Sequence, residues 1–278
     1  MDIVCLTFDE WEPGHWQFSY RGDIEKADEK YSDGLELLED GALGKAALKF
    51  RAALVRFPEH IGAIMHLGYT LKLQGKPLEA WAFVEMAVSV ARAKIPAAFS
   101  WDGVVISWYE GENRAYLRAC LQLGIELMER GYHERASCYF EHVLMVWPND
   151  NLGVRYVAPD CYLRMGAYDK VVALVSRYAD EDSPYLIYAV PLAQLKAGRT
   201  DEARKAMARA VARRPKVAQE LLRQEHTPPA DMSPLGTRTG GADEAYSYWQ
   251  GLAHFWQPDS QAIALLRSVA EEAGVQTT

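Results

Sequence analysis

The sequence predicts an all-α chain, a right-handed α-solenoid of helix hairpins closed by a C-terminal capping helix pair. Three observations carry that expectation. Ala46, Phe50 and Ala53 return 34 positions later as Ala80, Val84 and Ala87. Gly131, Gly166 and Gly198 then follow at intervals of 35 and 32. Pro58, Pro148 and Pro215 each close a helical run, because proline cannot extend the hydrogen-bond ladder. A period of this length marks a hairpin that buries its apolar face only by stacking on copies of itself.

Taken in order, the first hairpin ends in Ala46, Phe50, Ala53 and Pro58, with alanines where two helices cross closely. The second is fuller: Leu67, Gly68 and Leu71, Gly75 in the turn, then Ala80, Val84 and Ala87. The third repeats it as Leu123, Gly124, Leu127 and Gly131, then Ala136, Phe140, Val143 and Pro148. A fourth is degenerate, with Cys161 or Tyr162, Gly166, Val171 and Val175. The fifth recovers with Gly198, Ala203, Met207, Ala210 and Pro215. The pattern resembles the tetratricopeptide repeat, and it places the array over residues 26–223.

Two stretches break the period. Twenty-two extra residues separate the second and third hairpins, an insert over 93–114. It carries Trp101, Val104, Val105, Ile106, Trp108 and Tyr109, too apolar for an idle surface loop. Residues 224–241, with Pro228, Pro229, Pro234, Gly236, Gly240 and Gly241, read as a flexible linker. Beyond it, 242–278 holds the capping helices that hide the open end of a repeat stack. Residues 1–25 form a separate aromatic and acidic segment, where Trp11, Trp16, Phe18 and Tyr20 interleave with carboxylates.

Composition narrows the function. Over 278 residues, 49% hydrophobic, the formal net charge is −8, which argues against nucleic acid as a general partner. The balance is uneven: the first fifty residues hold twelve acids against five bases, whereas Lys196, Arg199, Arg204, Lys205, Arg209, Arg213, Arg214 and Lys216 cluster later. That cluster reads as a solvated face, with nucleic-acid binding or contact with another copy's acidic N-terminus as alternatives. Cys5, Cys120, Cys138 and Cys161 lack disulfide or zinc spacing, and no apolar run reaches membrane-spanning length. A cytoplasmic protein without cofactor or metal is expected. No convergent acid, base and nucleophile appears, so an enzyme is not expected.

Three motifs narrow the resemblance. Glu112-Asn113-Arg114-Ala115-Tyr116-Leu117-Arg118, Pro148-Asn149-Asp150-Asn151-Leu152-Gly153-Val154-Arg155, and Gly240-Gly241-Ala242-Asp243-Glu244-Ala245 with Tyr248, Trp256 and Leu265-Leu266 are similar to runs in one family. That is the suppressor-of-tumorigenicity-seven family with its bacterial tetratricopeptide relatives. The chain departs from it where Ala115 replaces a usual proline and where no tryptophan precedes Leu265. The resemblance implies a scaffold and no reaction.

Repeat geometry places the first helix of each hairpin on the concave face. The expected groove is aromatic and aliphatic, comprising Met65, Tyr69, Ile125, Met128, Tyr156, Tyr188 and Leu192, and suits a protein or peptide segment. A one-residue error of helix phase would turn some of these into core. The tetratricopeptide clamp for a C-terminal carboxylate uses lysine and asparagine at set positions, where this chain has Met65, Tyr69, Leu121 and Tyr188. Trp11, Trp16 and Phe18 are candidates to fill the groove from within. As an alternative, Asn113, Arg118, Asn151 and Arg155 would form a site for a small anionic ligand, or an enzyme-like site. The bland reading of Asn149-Asp150-Asn151 is a helix cap, with Arg118 and Arg155 bonded to Asp150 or Asp160.

Overall fold

A computed structural model describes residues 4–230, 232 and 236–276; Pro234 of the expected linker lies outside the described residues. The chain divides into two compact units, at Val154–Arg155.

The first unit opens with two strands, β1 (Cys5–Glu12) and β2 (His15–Arg21), paired antiparallel with Phe8 opposite Phe18. Leu6, Phe8 and Phe18 are buried, while Asp9, Glu10 and Glu12 lie toward the outside. Gly14 turns the chain with φ 77°. The ladder shifts register between Glu10 and Glu12, leaving Trp11 as the unpaired residue of a bulge. This hairpin adds a β element to an otherwise helical chain.

Three helix hairpins follow: α1 (Glu25–Glu39) with α2 (Leu43–Arg56), α3 (Ile61–Leu73) with α4 (Pro77–Arg92), and α5 (Asn113–Glu129) with α6 (His133–Val146). Each depends on a glycine in its first helix. A Cβ on Gly34 would lie 2.6 Å from Phe50, on Gly68 3.2 Å from Val84, and on Gly124 2.5 Å from Phe140. In every pair the partner stands sixteen residues later, so one spacing sets how closely each second helix seats on its first. Gly75 and Gly131 close the turns at φ 75° and 82°, a left-handed backbone that a side chain would strain.

Residues 93–112 dock between the strands and the third hairpin. Val105 accepts from Trp16 N at 2.9 Å and donates to Gly14 O at 2.8 Å, while Ile106 N donates to Val146 O at 3.0 Å. Ile106 is wholly buried. The aromatic side chains of the strands pack here: Trp16 stands edge-on to Phe99 with centroids 4.8 Å apart, and Phe18 lies 4.7 Å from Tyr116.

The second unit runs through α7 (Val154–Met165), α8 (Tyr168–Arg177), a single turn α9 (Pro184–Ile187), α10 (Ala189–Lys196) and α11 (Thr200–Arg213). It then continues through α12 (Pro215–Leu222), α13 (Ala242–Trp256) and α14 (Ser260–Glu272). The expected final helix pair is α13 with α14. Its core is aromatic: Trp256 Nε1 donates to Tyr248 Oη at 3.1 Å, and Tyr188 packs on both rings. Gly241 is required before α13, since a Cβ there would meet Asp243 Oδ1 at 2.0 Å and Arg238 O at 2.7 Å.

Candidate binding groove

The first helices α1, α3 and α5 of the first unit line a groove of about 320 Å³. α1 contributes Leu35, Leu38 and Glu39; α3 contributes Met65, His66 and Tyr69; α5 contributes Arg118, Leu121 and Gln122. These positions recur at helical spacing on one face of each helix, so the sequence period itself assembles the surface. Tyr69 is 43% exposed at its centre. Arg118 is exposed, stands 5.1 Å over the Trp108 ring, and has no carboxylate partner among the described residues. Trp108 brings the insert to the edge of the groove.

One end of the groove is polar and largely buried. His60 caps α3 by accepting from Ala63 N at 3.2 Å, which fixes its Nδ1 as the acceptor and turns Nε2–H toward Asp28 Oδ1 at 3.1 Å. Tyr20 Oη approaches the same Nδ1 at 3.1 Å. Burial lowers the pKa of the His60 and His66 rings from the ordinary histidine value, against the Asp28 charge at His60. Burial, and then the nearby Asp28 charge, lifts the Glu112 carboxyl above its usual value. Burial also raises Tyr31 to about 12. The opposite end is ionic: Lys72 donates to Glu126 at 2.7 Å and Glu129 at 3.2 Å. Burial works against the Glu126 charge, but bonds from Lys72 and Arg130 hold its carboxyl below the usual carboxylate range.

The residues expected to bind a peptide take different places. Met65 and Tyr69 lie in this groove, and Ile125 and Met128 are half-buried further along α5. In the second unit, Tyr156 is half-buried, donating to Glu181 at 2.9 Å. Tyr188 and Leu192 are closed off from solvent, a correction to their expected place on a surface. Tyr188 packs instead against Tyr248 and Trp256 of α13, and its Oη donates to Arg214 O at 2.9 Å.

Of the anion set, Asn113, Asn151 and Arg155 are already engaged, and only Arg118 is left without a carboxylate among the described residues. Asn113 is wholly buried; its Oδ1 accepts from Phe18 N at 2.9 Å, and its Nδ2 donates to Trp16 O at 3.1 Å and Ser107 O at 3.0 Å. With every amide position bonded to main chain, it ties the strands and the insert to α5. Asn151 accepts from Trp147 Nε1 at 2.7 Å, and Arg155 pairs with Glu181 at 2.8 Å. Asp150 Oδ1 accepts from Val154 N at 2.8 Å, the cap expected at the start of α7. Asp160 is bonded by Arg164 at 2.6 Å. Nor do Trp16 and Phe18 fill the groove: they pack on Phe99 and Tyr116, while Trp11 projects from the bulge. The hairpin was not expected from the sequence, although the alternation of Trp16, Phe18 and Tyr20 after Pro13-Gly14, a period of two, is its signal.

Repeated helix hairpins with glycine turns, stacked on their second helices and lined on their first, define the tetratricopeptide class. Solved structures agree at the level of fold. MamA matches at 17% identity with TM-score 0.52, covering 74% of this chain and 99% of its own. YrrB, described as a tetratricopeptide protein with an unusual peptide-binding site, matches at 15% and 0.52, covering 68% and 87%. A tetratricopeptide repeat protein from Parabacteroides merdae matches at 14% and 0.55, covering 91% and 81%. Within this class the chain belongs to the Tcf25 family, whose model, described as transcriptional repressor TCF25, matches residues 46–237. The match takes in the Glu112 and Pro148 motifs and ends before the Gly240 motif. No curated protein matches the chain. Among the described residues no helix is long and apolar enough to cross a membrane, and no group of His, Cys, Asp and Glu is placed to hold a metal ion.

Proposed function

We propose that this protein is a non-enzymatic scaffold that holds a segment of another protein in the groove between α1, α3 and α5. The observation that carries the reading is the pairing of a half-exposed tyrosine, Tyr69, with an arginine, Arg118, that no carboxylate neutralises among the described residues. Leu35, Leu38, Met65 and Leu121 supply apolar contact, and Arg118 supplies one directional bond for an acidic side chain. The ligand class is an apolar peptide with a carboxylate. The peptide-binding site named in the YrrB description supports the use of such repeats for this purpose. The family description, a transcriptional repressor, suits a scaffold that recruits protein. Direct nucleic-acid reading by the basic stretch is less favoured, because Lys196, Arg199, Arg204 and Arg214 are bonded to Asp259, Asp169, Glu272 and Asp182. A cytoplasmic location is part of the same proposal.

The test is affinity capture from source lysate with the full chain beside a Tyr69→Ala/Arg118→Ala variant, whose helical circular dichroism is checked first. The expected result is a partner held by the native chain and lost by the variant. Equal capture by both baits refutes the groove.

A further inference from the structure

The second unit contains a pocket that the groove reading leaves unused. α8 lends Val172 and Val175, the α9–α10 segment Ile187, Val190 and Gln194, and α11 closes one side with Arg209 and Arg213 in a cavity of about 350 Å³. Two features set it apart from a chance hollow. Gln194 is only 9% exposed, and its Oε1 has no hydrogen-bond partner, an acceptor left waiting for a donor. Arg209 and Arg213, one helical turn apart and both exposed, have no carboxylate partner among the described residues. Glu181 at the same pocket is already held by Arg155 and Tyr156. The pocket therefore asks for an apolar ring carrying an N–H, flanked by negative charge.

This chain carries such a segment. At the tip of the β1–β2 hairpin, Asp9-Glu10-Trp11-Glu12 places an indole between carboxylates, and the bulge leaves Trp11 41% exposed. We infer that the hairpin tip of one copy docks in the α8–α10–α11 pocket of a second copy. Trp11 lies on the valines and Ile187, its Nε1–H donates to Gln194 Oε1 once that buried amide turns toward the pocket, and Glu12 with the oxygen of Glu10 that does not bond Gly14 N faces Arg209 and Arg213. The two surfaces differ, so the contact is heterologous and adds copies head to tail. It is small, which makes association weak and sensitive to salt. The inference stands apart from the groove, because it uses none of the groove residues.

The experiment is sedimentation velocity on the full chain at low salt from about 5 to about 200 µM, bracketing the micromolar affinity of a small contact. Native protein is expected to sediment faster as concentration rises. Trp11→Ala, and separately Arg209→Glu with Arg213→Glu, should remain monomeric throughout. Mixing those two variants restores one intact tip and one intact pocket, and should yield a one-to-one dimer. That complementation also proves that both variants fold. A native chain that stays monomeric, a Trp11→Ala chain that associates like the native one, or a mixture that does not pair overturns the inference.

Discussion

Replacing Asn113 by alanine should detach the β-hairpin from the rest of the first unit. The side chain is wholly buried and makes three hydrogen bonds, to Phe18 N, Trp16 O and Ser107 O, at 2.9 to 3.1 Å. Truncation removes all three and leaves Phe18 N and Trp16 O without this partner, while Ser107 O keeps its bond from Glu110 N. At roughly 1–2 kcal/mol for each of the two groups left bare, the loss is about 2–4 kcal/mol. Set against the roughly 5–15 kcal/mol that stabilises a typical domain, that is a large fraction. Urea unfolding followed by circular dichroism reads the global loss, and amide exchange locates it. The Phe18 amide, whose only acceptor is Asn113 Oδ1, should lose its protection while amides within α1–α4 keep most of theirs. A global loss below about 1 kcal/mol with Phe18 still protected would refute the clamp.

Gly124→Ala should cost about 1–3 kcal/mol by pressing a methyl within 2.5 Å of Phe140, and calorimetry would show a lowered Tm; an unchanged Tm contradicts the glycine spacing argument. Asp150→Ala removes the cap on Val154 N from a residue at φ 48°, with about 1–2 kcal/mol expected in denaturant unfolding. His142 is held neutral, its pKa lowered to about 4 by burial and then by the Arg92 charge. Because the unfolded ring binds a proton near pH 6.5, stability is full above that value and declines as pH falls from about 6.5 toward 4, by up to about 3 kcal/mol. The His142→Asn variant should flatten that part of the stability profile, and a profile identical to the native one removes His142 as its source.

The helical repeat was legible because its determinants are local and periodic. Gly68 and Gly124 occupy one structural position 56 residues apart, and Gly34 holds it again 34 residues before Gly68. Helix ends were legible for the same reason, through Pro58 and Pro148. The groove was partly so: Met65 and Tyr69 belong to a regular helix, whose faces follow from spacing alone. Tyr188 could not be placed that way, since the rings that cover it, Tyr248 and Trp256, come 60 and 68 residues later. Asn113 was singled out for its motif, but its partners Trp16 and Phe18 are almost a hundred residues away. Nothing in a sequence period reports such a contact.

That distance has a consequence for how the molecule comes into being. A stack of hairpins can form from its N-terminus as the chain leaves the ribosome, each pair resting on the one before. The first strands here cannot settle by that route. Leu6 N finds Glu59 early, but the outward main-chain groups of Trp16 and Phe18 wait for Val105, Glu112 and Asn113, which emerge after two complete hairpins. Until then Trp16 and Phe18 lack the main-chain partners that the insert and α5 supply, although two hairpins made after them are already complete. Synthesis of α5 is thus the step that completes the partners of the two strands.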